Sequence, residues 1–517
     1  MHLVEVLLVL VALATLVAAT ADRLRAPAPS LLVLGGLCAA LLPGVPDVHV
    51  NPAVVGLAVL PPLLYAGATD VSLPDLRACA SSVASLSVGL VGATATSTAL
   101  LVHQVHPAIS VSVGLVLGSI LASTDPVAVG ALARSMSLPP RLLALVQGES
   151  LLNDATSLML FQVAVTWVLR GHASPVGAAG QFLELALGGV VAGLATAFVG
   201  RRLSSVTADP VLGPVLALLL PYGAFVGADL LHGSGVTAVV VAGLGAARRD
   251  PRHGSAEGRN ASATVYAVVV FVLESAIFGA IGLQLPTLLR GITREGTSIP
   301  PLVLAVTGVL VLSRVAWVAA TALVASATPR QQTGQRDGGW RTAAVTSWIG
   351  TRGVVPLAAA LSIPQGSAGH AFPHRDLLLV VASSVIVVTL VVQGLTLAPL
   401  ARHLGVRDDP QRVAGQAARA RELAARAAQA RLKELLAVEA VPDAVAARLT
   451  REAADRVDRR SLAGSAEEEP PADYQRLRRE LLLAEGRALW GLREAGLLDE
   501  AVRRTLQADV DAEMNGP

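Results

Sequence analysis

Apolar residues in this chain come in long unbroken runs, not in the two-residue or 3.6-residue spacing of elements that show one face to water. The runs recur through the first 400 residues, and most reach the length of about 17–25 residues that crosses roughly 30 Å of hydrocarbon as a helix. They fall at 3–20, 29–43, 51–68, 82–102, 109–132, 142–169, 178–199, 211–230, 234–246, 261–284, 300–326, 342–362 and 377–399. Past residue 401 the pattern changes to Ala, Arg and Glu with helical periodicity at 419–436 and 474–497. Between those stretches, 461–473 contains Glu467-Glu468-Glu469-Pro470-Pro471 and reads as a linker. The pattern predicts an all-α polytopic membrane protein of about thirteen spans over residues 1–401, followed by a cytoplasmic helical tail over 402–517.

Composition agrees with the pattern: 53% hydrophobic residues against 15% charged exclude a soluble globular domain. The formal charge of +2 says little, and no nucleic-acid partner is expected from it. The distribution of arginine says more. Alternate loops carry Arg23 and Arg25; Arg77; Arg134 and Arg141; Arg201 and Arg202; Arg248, Arg249, Arg252 and Arg259; and Arg330, Arg336 and Arg341. The loops between them hold only Arg170, Arg290, Arg294 and Arg375. The positive-inside rule therefore places the N-terminus outside and the C-terminus in the cytoplasm, which needs an odd number of spans. Ala18-Ala19-Thr20-Ala21 looks like a cleavage site, but its arginines follow the apolar run instead of preceding it, so the first segment reads as a span.

Enzyme chemistry finds no foothold. The one lysine, Lys433, excludes a P-loop, and Cys38 and Cys79 provide neither a disulfide framework nor a metal site. His103 and His106 read as a surface pair in an outer loop. No resident cofactor is expected.

Polar residues at bilayer depth carry the chemistry, because a charge there is costly unless it faces a partner or a water-filled path. Gly148-Glu149-Ser150-Leu151-Leu152-Asn153-Asp154-Ala155 puts two carboxylates inside one apolar span. On a helix, Glu149 and Asn153 share a face and Ser150 and Asp154 the neighbouring one, a strip able to offer oxygens to an ion. Ser123-Thr124-Asp125-Pro126 interrupts the fifth span, and Gly350-Thr351-Arg352-Gly353-Val354-Val355-Pro356 the twelfth. Proline lacks the backbone donor and disfavours helix at the residue before it, so both spans are expected to break. Broken helices at mid-membrane are where secondary transporters bind ions, and one in each half suggests an inverted repeat. Arg314, mid-span, needs an anion, which Glu149 or Asp154 would supply. Glu274 and Asp229 are open between structural, helix-end and ligand roles, and Glu184 lies near a span end.

Six strings in this order resemble the monovalent cation:proton antiporters of the sodium/proton exchanger type. They are Leu60-Pro61-Pro62-Leu63-Leu64-Tyr65, Ser123-Thr124-Asp125-Pro126-Val127-Ala128-Val129, Gly148-Glu149-Ser150-Leu151-Leu152-Asn153-Asp154, Ser234-Gly235-Val236, Gly282-Leu283-Gln284-Leu285-Pro286 and Gly350-Thr351-Arg352-Gly353. The resemblance covers residues 1–400 and implies a homodimer of thirteen-helix protomers, each with two inverted repeats, in a bacterial cell membrane. It implies exchange of sodium or another monovalent cation for a proton, electroneutral by the Asn153-Asp154 pair, in the service of pH and sodium homeostasis. Asp154 and Ser150 would be side-chain ligands of the transported sodium and Thr124 a ligand through unwound backbone, with Asp125 counted in the same cation/proton-binding set. Asn153 would steady Glu149, Glu149 would pair with Arg314, and Asp125 with Arg352 would neutralise the crossing of broken helices. One position departs: Leu64-Tyr65-Ala66 stands where many relatives have Leu-Phe-Glu, which leaves the choice among sodium, lithium and potassium open. A sodium-coupled organic solute symporter, a cation channel and a non-transporting sensor are the readings from other classes. Organic-solute uptake, proton-independent flux and absence of flux would mark them respectively.

Overall fold

The computed structural model describes residues 28–40, 55–125, 139–171, 174–206, 212–247, 256–292, 299–327, 339–367, 370–406, 410–438, 441–458 and 472–515, with Thr15 and Val17 besides. They form two compact units. One comprises Met1–Gly200, Ala217–Arg248 and Val265–Arg407; the other comprises Arg201–Leu216, Arg249–Thr264 and Asp408–Pro517.

In chain order the first helices are α1 (Ala28–Ala40), a π-helical turn at Val55–Val59 running into α2 (Leu60–Asp70), α3 (Leu73–Ala78), and α4 (Ala80–Ala84), which passes through a second π turn, Ser85–Leu90, into α5 (Val91–Val105). There follow α6 (Val111–Ala122), α7 (Pro140–Arg170), α8 (Pro175–Val206), α9 (Leu212–Asp229), α10 (Gly235–Ala246), α11 (Ala256–Ile292) and α12 (Ile299–Ala327). After these come α13 (Gly339–Trp348), α14 (Val354–Leu361), a small hairpin of β1 (Gly366–Ser367) and β2 (His370–Ala371), and α15 (Arg375–His403). Seven of the described helices are long and apolar enough to cross a membrane, and three shorter apolar ones accompany them. The expected first span, 3–20, lies almost wholly outside the described residues, as do residues 126–132 of the span 109–132. Every other expected span coincides with a helix, and 342–362 coincides with two, α13 and α14, separated by non-helical backbone at 349–353.

Local chemistry sets the ends of these helices. Ser110 and Ser234 accept hydrogen bonds from the backbone N–H groups of Val113 and Thr237, satisfying donors that the first turn leaves open. Helix α7 opens with Pro140 in its first turn and stops at Gly171, whose positive φ of 74° a side chain would resist. Helix α6 packs backbone to backbone against α5: a Cβ on Gly114 or Gly118 would collide with the main chain at Ala99 or Ala95. The same helical hydrophobicity serves two surroundings. Helix α15 is apolar on all sides and 83% buried across its span, whereas the span in α8 is 22% buried and leaves Leu187, Val191 and Leu194 exposed.

The second unit is built around α16 (Pro410–Val438), α17 (Asp443–Asp458), α18 (Ala472–Glu494) and α19 (Glu500–Asn515). It is more structured than two periodic stretches implied: α17 and α19 extend the reading, and the expected linker falls mostly outside the described residues. Two apolar clusters explain why it holds together. Leu432 and Leu435 meet Val445, Leu449, Leu477 and Leu481 in one; in the other, Leu482 and Leu489 meet Leu498, Val502, Leu506 and Val510. The four-residue spacing along α19 turns one stripe inward and leaves its other faces polar.

Candidate cation site at the broken helices

Among the described residues of the membrane-spanning unit, five charged side chains are nine-tenths or more buried: Asp125, Glu149, Asp154, Arg314 and Arg352. All five were singled out by sequence, and the structure disposes them around the two breaks.

Helix α7 carries the strip Glu149, Ser150, Asn153 and Asp154, all enclosed. Arg314 of α12 grips Glu149 with both ends of its guanidinium, Nη1 to Oε1 and Nη2 to Oε2, the latter at 2.9 Å. Its Nε donates to the carbonyl of Thr346 at 3.0 Å. A planar fork on a carboxylate satisfies both charges with fixed geometry, the arrangement a buried pair needs to offset desolvation. Of the two anions proposed for Arg314, Glu149 is therefore the one it meets.

Helix α6 stops at Ala122, and Ser123 continues in extended backbone, φ −67° and ψ 144°. The freed segment is held from three sides. Ser123 Oγ donates to Asp154 Oδ1, Asn153 Nδ2 donates to Thr124 Oγ1 at 2.7 Å, and Asp125 N donates to the carbonyl of Thr351 at 2.7 Å. Thr124 N reaches Asn153 Oδ1 at 3.4 Å, and the hydroxyls of Thr124 and Ser150 lie 3.3 Å apart. The amide of Asn153 thus binds Thr124 and not Glu149, a change from the expected role. The reason is local: the arginine fork occupies both Glu149 oxygens, while unwinding leaves the Thr124 N–H in need of an acceptor.

Asp125 and Arg352 were expected to neutralise the crossing of the broken helices, and the structure places each at one of the two breaks. Arg352 directs Nε to the carbonyl of Leu121 at 3.0 Å and Nη1 to that of Gly350, and among the described residues it makes no ion pair. Its charge lies against carbonyls at the C-terminal end of α6, where the helix dipole is negative. The Asp125 carboxylate lies directly over the Cα of Gly353, where any Cβ would overlap it. Gly353 immediately precedes α14, whose N-terminal end is positive. Each charge thus serves the opposite half-helix end. Gly350 has a parallel reason to lack a side chain, since the Arg314 and Arg352 side chains both pass within 3.4 Å of where its Cβ would be.

The remaining candidates lie elsewhere. Asp229 is exposed at the end of α9, Glu184 is exposed on α8, Glu274 is half-buried on α11, and His103 turns its Nδ1 to the carbonyl of Ile109 at 2.8 Å. Ala66 lies on α2, one residue from Tyr65, whose ring stacks on Tyr266 at 5.9 Å. Pro126 itself falls outside the described residues. No group of three or more His, Cys, Asp or Glu side chains suited to a resident metal occurs among the described residues. Sequence reading passed over Ser123 as a partner of Asp154, although it heads the string that breaks α6. It also passed over the carbonyls of Leu121 and Thr346, which no side-chain pattern reveals.

Comparison with known proteins agrees with this geometry. Residues 8–403 match the model of the transmembrane sodium/hydrogen exchanger family. A Mycobacterium tuberculosis protein named as an uncharacterised Na(+)/H(+) exchanger is 34% identical over 98% of this chain and 95% of its own length. The Na(+)/H(+) antiporter NhaH of Halobacillus dabanensis is 29% identical over 77% of this chain and 97% of its own. In fold, the sodium proton antiporter MjNhaP1 of Methanocaldococcus jannaschii superposes with a TM-score of 0.61 at 21% identity, covering 79% of this chain and 99% of that one. With three of its six family strings meeting at two broken helices, and with a relative matching nearly end to end, this chain belongs to the sodium/hydrogen exchanger family of membrane transporters.

Proposed function

We propose that the protein exchanges a monovalent cation, sodium foremost, for a proton across a bacterial cell membrane, with Asp154 as the exchanged site. Asp154 and Ser150 bind the cation through side chains and Thr124 through its unwound backbone. Glu149, Asn153, Arg314, Asp125 and Arg352 hold the frame.

The observation that carries this reading is the balance of buried charge. Among the described residues of the membrane-spanning unit, three carboxylates, Asp125, Glu149 and Asp154, and two guanidiniums, Arg314 and Arg352, are buried. With every group ionised the core is left with one unit of negative charge, which one proton or one monovalent cation on Asp154 cancels. An uncancelled charge in a low-dielectric interior is expensive, so the empty core crosses poorly and the loaded core crosses in either form. Competition for one carboxylate couples the two flows, and a one-for-one exchange carries no net charge. The protein works as a homodimer with its N-terminus outside, its C-terminal tail in the cytoplasm and pH and sodium homeostasis as its task.

Proteoliposomes test it. Sodium added outside should drive proton movement in the opposite sense, and a potassium–valinomycin potential should leave the transport equilibrium unmoved. Asp154→Asn, which keeps the shape but cannot trade a proton for a cation, should abolish the flux with expression and dimer formation intact. A voltage-dependent equilibrium would bring in a second titrating group, Glu274 first. Flux in Asp154→Asn would move the site to Glu149 or Asp125, and organic-solute uptake would favour the symporter reading.

A further inference from the structure

The polar groups around Asp154 are not equally placed to meet an incoming cation. Thr124, Ser150 and Asn153 are engaged with one another: Asn153 bonds Thr124 through both ends of its amide, and the Thr124 hydroxyl lies 3.3 Å from that of Ser150. Ser157 donates at 3.1 Å to the Asp154 backbone carbonyl, not to its carboxylate. Among the described residues, the hydroxyl of Ser123 alone bonds the carboxylate itself. Ser123 is fully buried, and it sits at the first extended residue after α6. The next residues are pinned in turn, Thr124 by Asn153 and Asp125 by the Thr351 carbonyl. Its oxygen is therefore held on a stiff support.

Resting on the exchange reading above, we propose that Ser123 is a specificity-determining residue of the site, a direct oxygen ligand that the transported cation acquires by displacing the Ser123–Asp154 hydrogen bond. A hydroxyl has one donor and two acceptor lone pairs. Without a cation it donates its proton to Asp154 Oδ1. A cation on that carboxylate oxygen comes to lie beside Ser123 Oγ; the hydroxyl rotates, its proton turns away and its lone pairs face the ion. One interaction is exchanged for another at the same oxygen, with no backbone movement needed. Because the support is stiff, the oxygen cannot follow a smaller ion inward. Ser123 thus acts on the choice among lithium, sodium and potassium as well as on affinity.

The experiment compares wild type, Ser123→Ala and Ser123→Thr in proteoliposomes, measuring KM and maximal rate for lithium, sodium and potassium under one imposed pH gradient. Ser123→Ala should raise the sodium KM roughly three- to tenfold, the equivalent of one modest hydrogen bond. Its maximal rate should stay within about twofold, the order of preference among the three ions should change, and Ser123→Thr, which keeps the hydroxyl, should restore the sodium KM. Sodium-induced thermal stabilisation in detergent should weaken in Ser123→Ala and recover in Ser123→Thr. Unchanged KM values in Ser123→Ala, or a fall in maximal rate alone, would overturn the assignment. Failure of the exchange reading looks different, because wild type itself would then show no cation-driven proton movement.

Discussion

Each unit of this protein buries a carboxylate among arginines, and the two solve the problem differently. In the membrane-spanning unit Glu149 meets one arginine in a two-point fork, with side-chain exposures of 1% for Glu149 and 4% for Arg314. In the other unit Glu500 of α19 meets three: Arg503 at 2.8 Å, Arg504 at 3.0 Å and Arg493 at 3.3 Å, with 18% of its side chain still exposed. Arg503 also stacks over the ring of Trp490, 4.5 Å from its centre. Water reaches the second cluster, so a lost partner there is partly replaced. Nothing replaces a lost partner of Glu149. Identical chemistry is therefore an all-or-none element in one place and a graded one in the other.

The largest expected effect tests the first half of that contrast. Glu149→Gln or Arg314→Gln alone strands a buried charge and should cost roughly 3–5 kcal/mol, while the double variant should recover much of the loss. Thermal unfolding in detergent measures it. Losses that simply add would mean that the two groups do not act as a pair in the folded protein.

Acid should act on the second cluster. Burial works against the Glu500 charge, but hydrogen bonds and charge from Arg503 and Arg504 outweigh it and hold the carboxyl below its ordinary value of 4.5. A depressed carboxyl contributes stability that is fully present above that ordinary value and is lost as pH falls through the lower folded one. The tail should therefore loosen below about pH 4.5. A variant with Trp490 as its sole tryptophan, the other four being replaced by Phe, would report this by fluorescence. Glu500→Gln should lower the tail's stability at neutral pH by roughly 1–2 kcal/mol and flatten the acid transition. An unaltered transition in that variant would assign the acid response to another group.

The smallest effect marks the far end of the scale. Glu422 and Arg426 on α16 make a 2.5 Å pair one turn apart, with exposures of 46% and 61%. Alanine at both should change stability by only about 0.3–0.5 kcal/mol. A loss comparable with that of Glu500→Gln would show that exposure is not what separates the two regimes.

Much of this was legible before any coordinates. Apolar runs mark the spans because hydrocarbon imposes a length and forbids unpaired backbone groups, so the signal is one-dimensional. The breaks at Ser123–Asp125 and Gly350–Gly353 were readable for the same reason, since a proline or an arginine inside such a run has few explanations. Arg314 demanded an anion on its own evidence. Helices α17 and α19 of the tail were harder, because an amphipathic helix shows its stripe only when a partner stripe identifies which residues turn inward.

The sequence by itself determined the solvent of the first 400 residues and the positions of the broken helices, and it singled out the five buried charges among a slightly larger set that also held Asp229 and Glu274. Each of these follows from the cost of placing a given side chain in a given medium, whatever its neighbours. The resemblance had already paired Arg314 with Glu149, as the structure does. Only the tertiary structure decided the other pairings: Asn153 with Thr124 in place of Glu149, Arg352 on the carbonyl of Leu121, and Ser123 on Asp154. Those choices depend on angles and distances of a few ångströms between segments as much as 231 residues apart, and hydrogen bonds are sensitive to both. Local sequence carries no record of either.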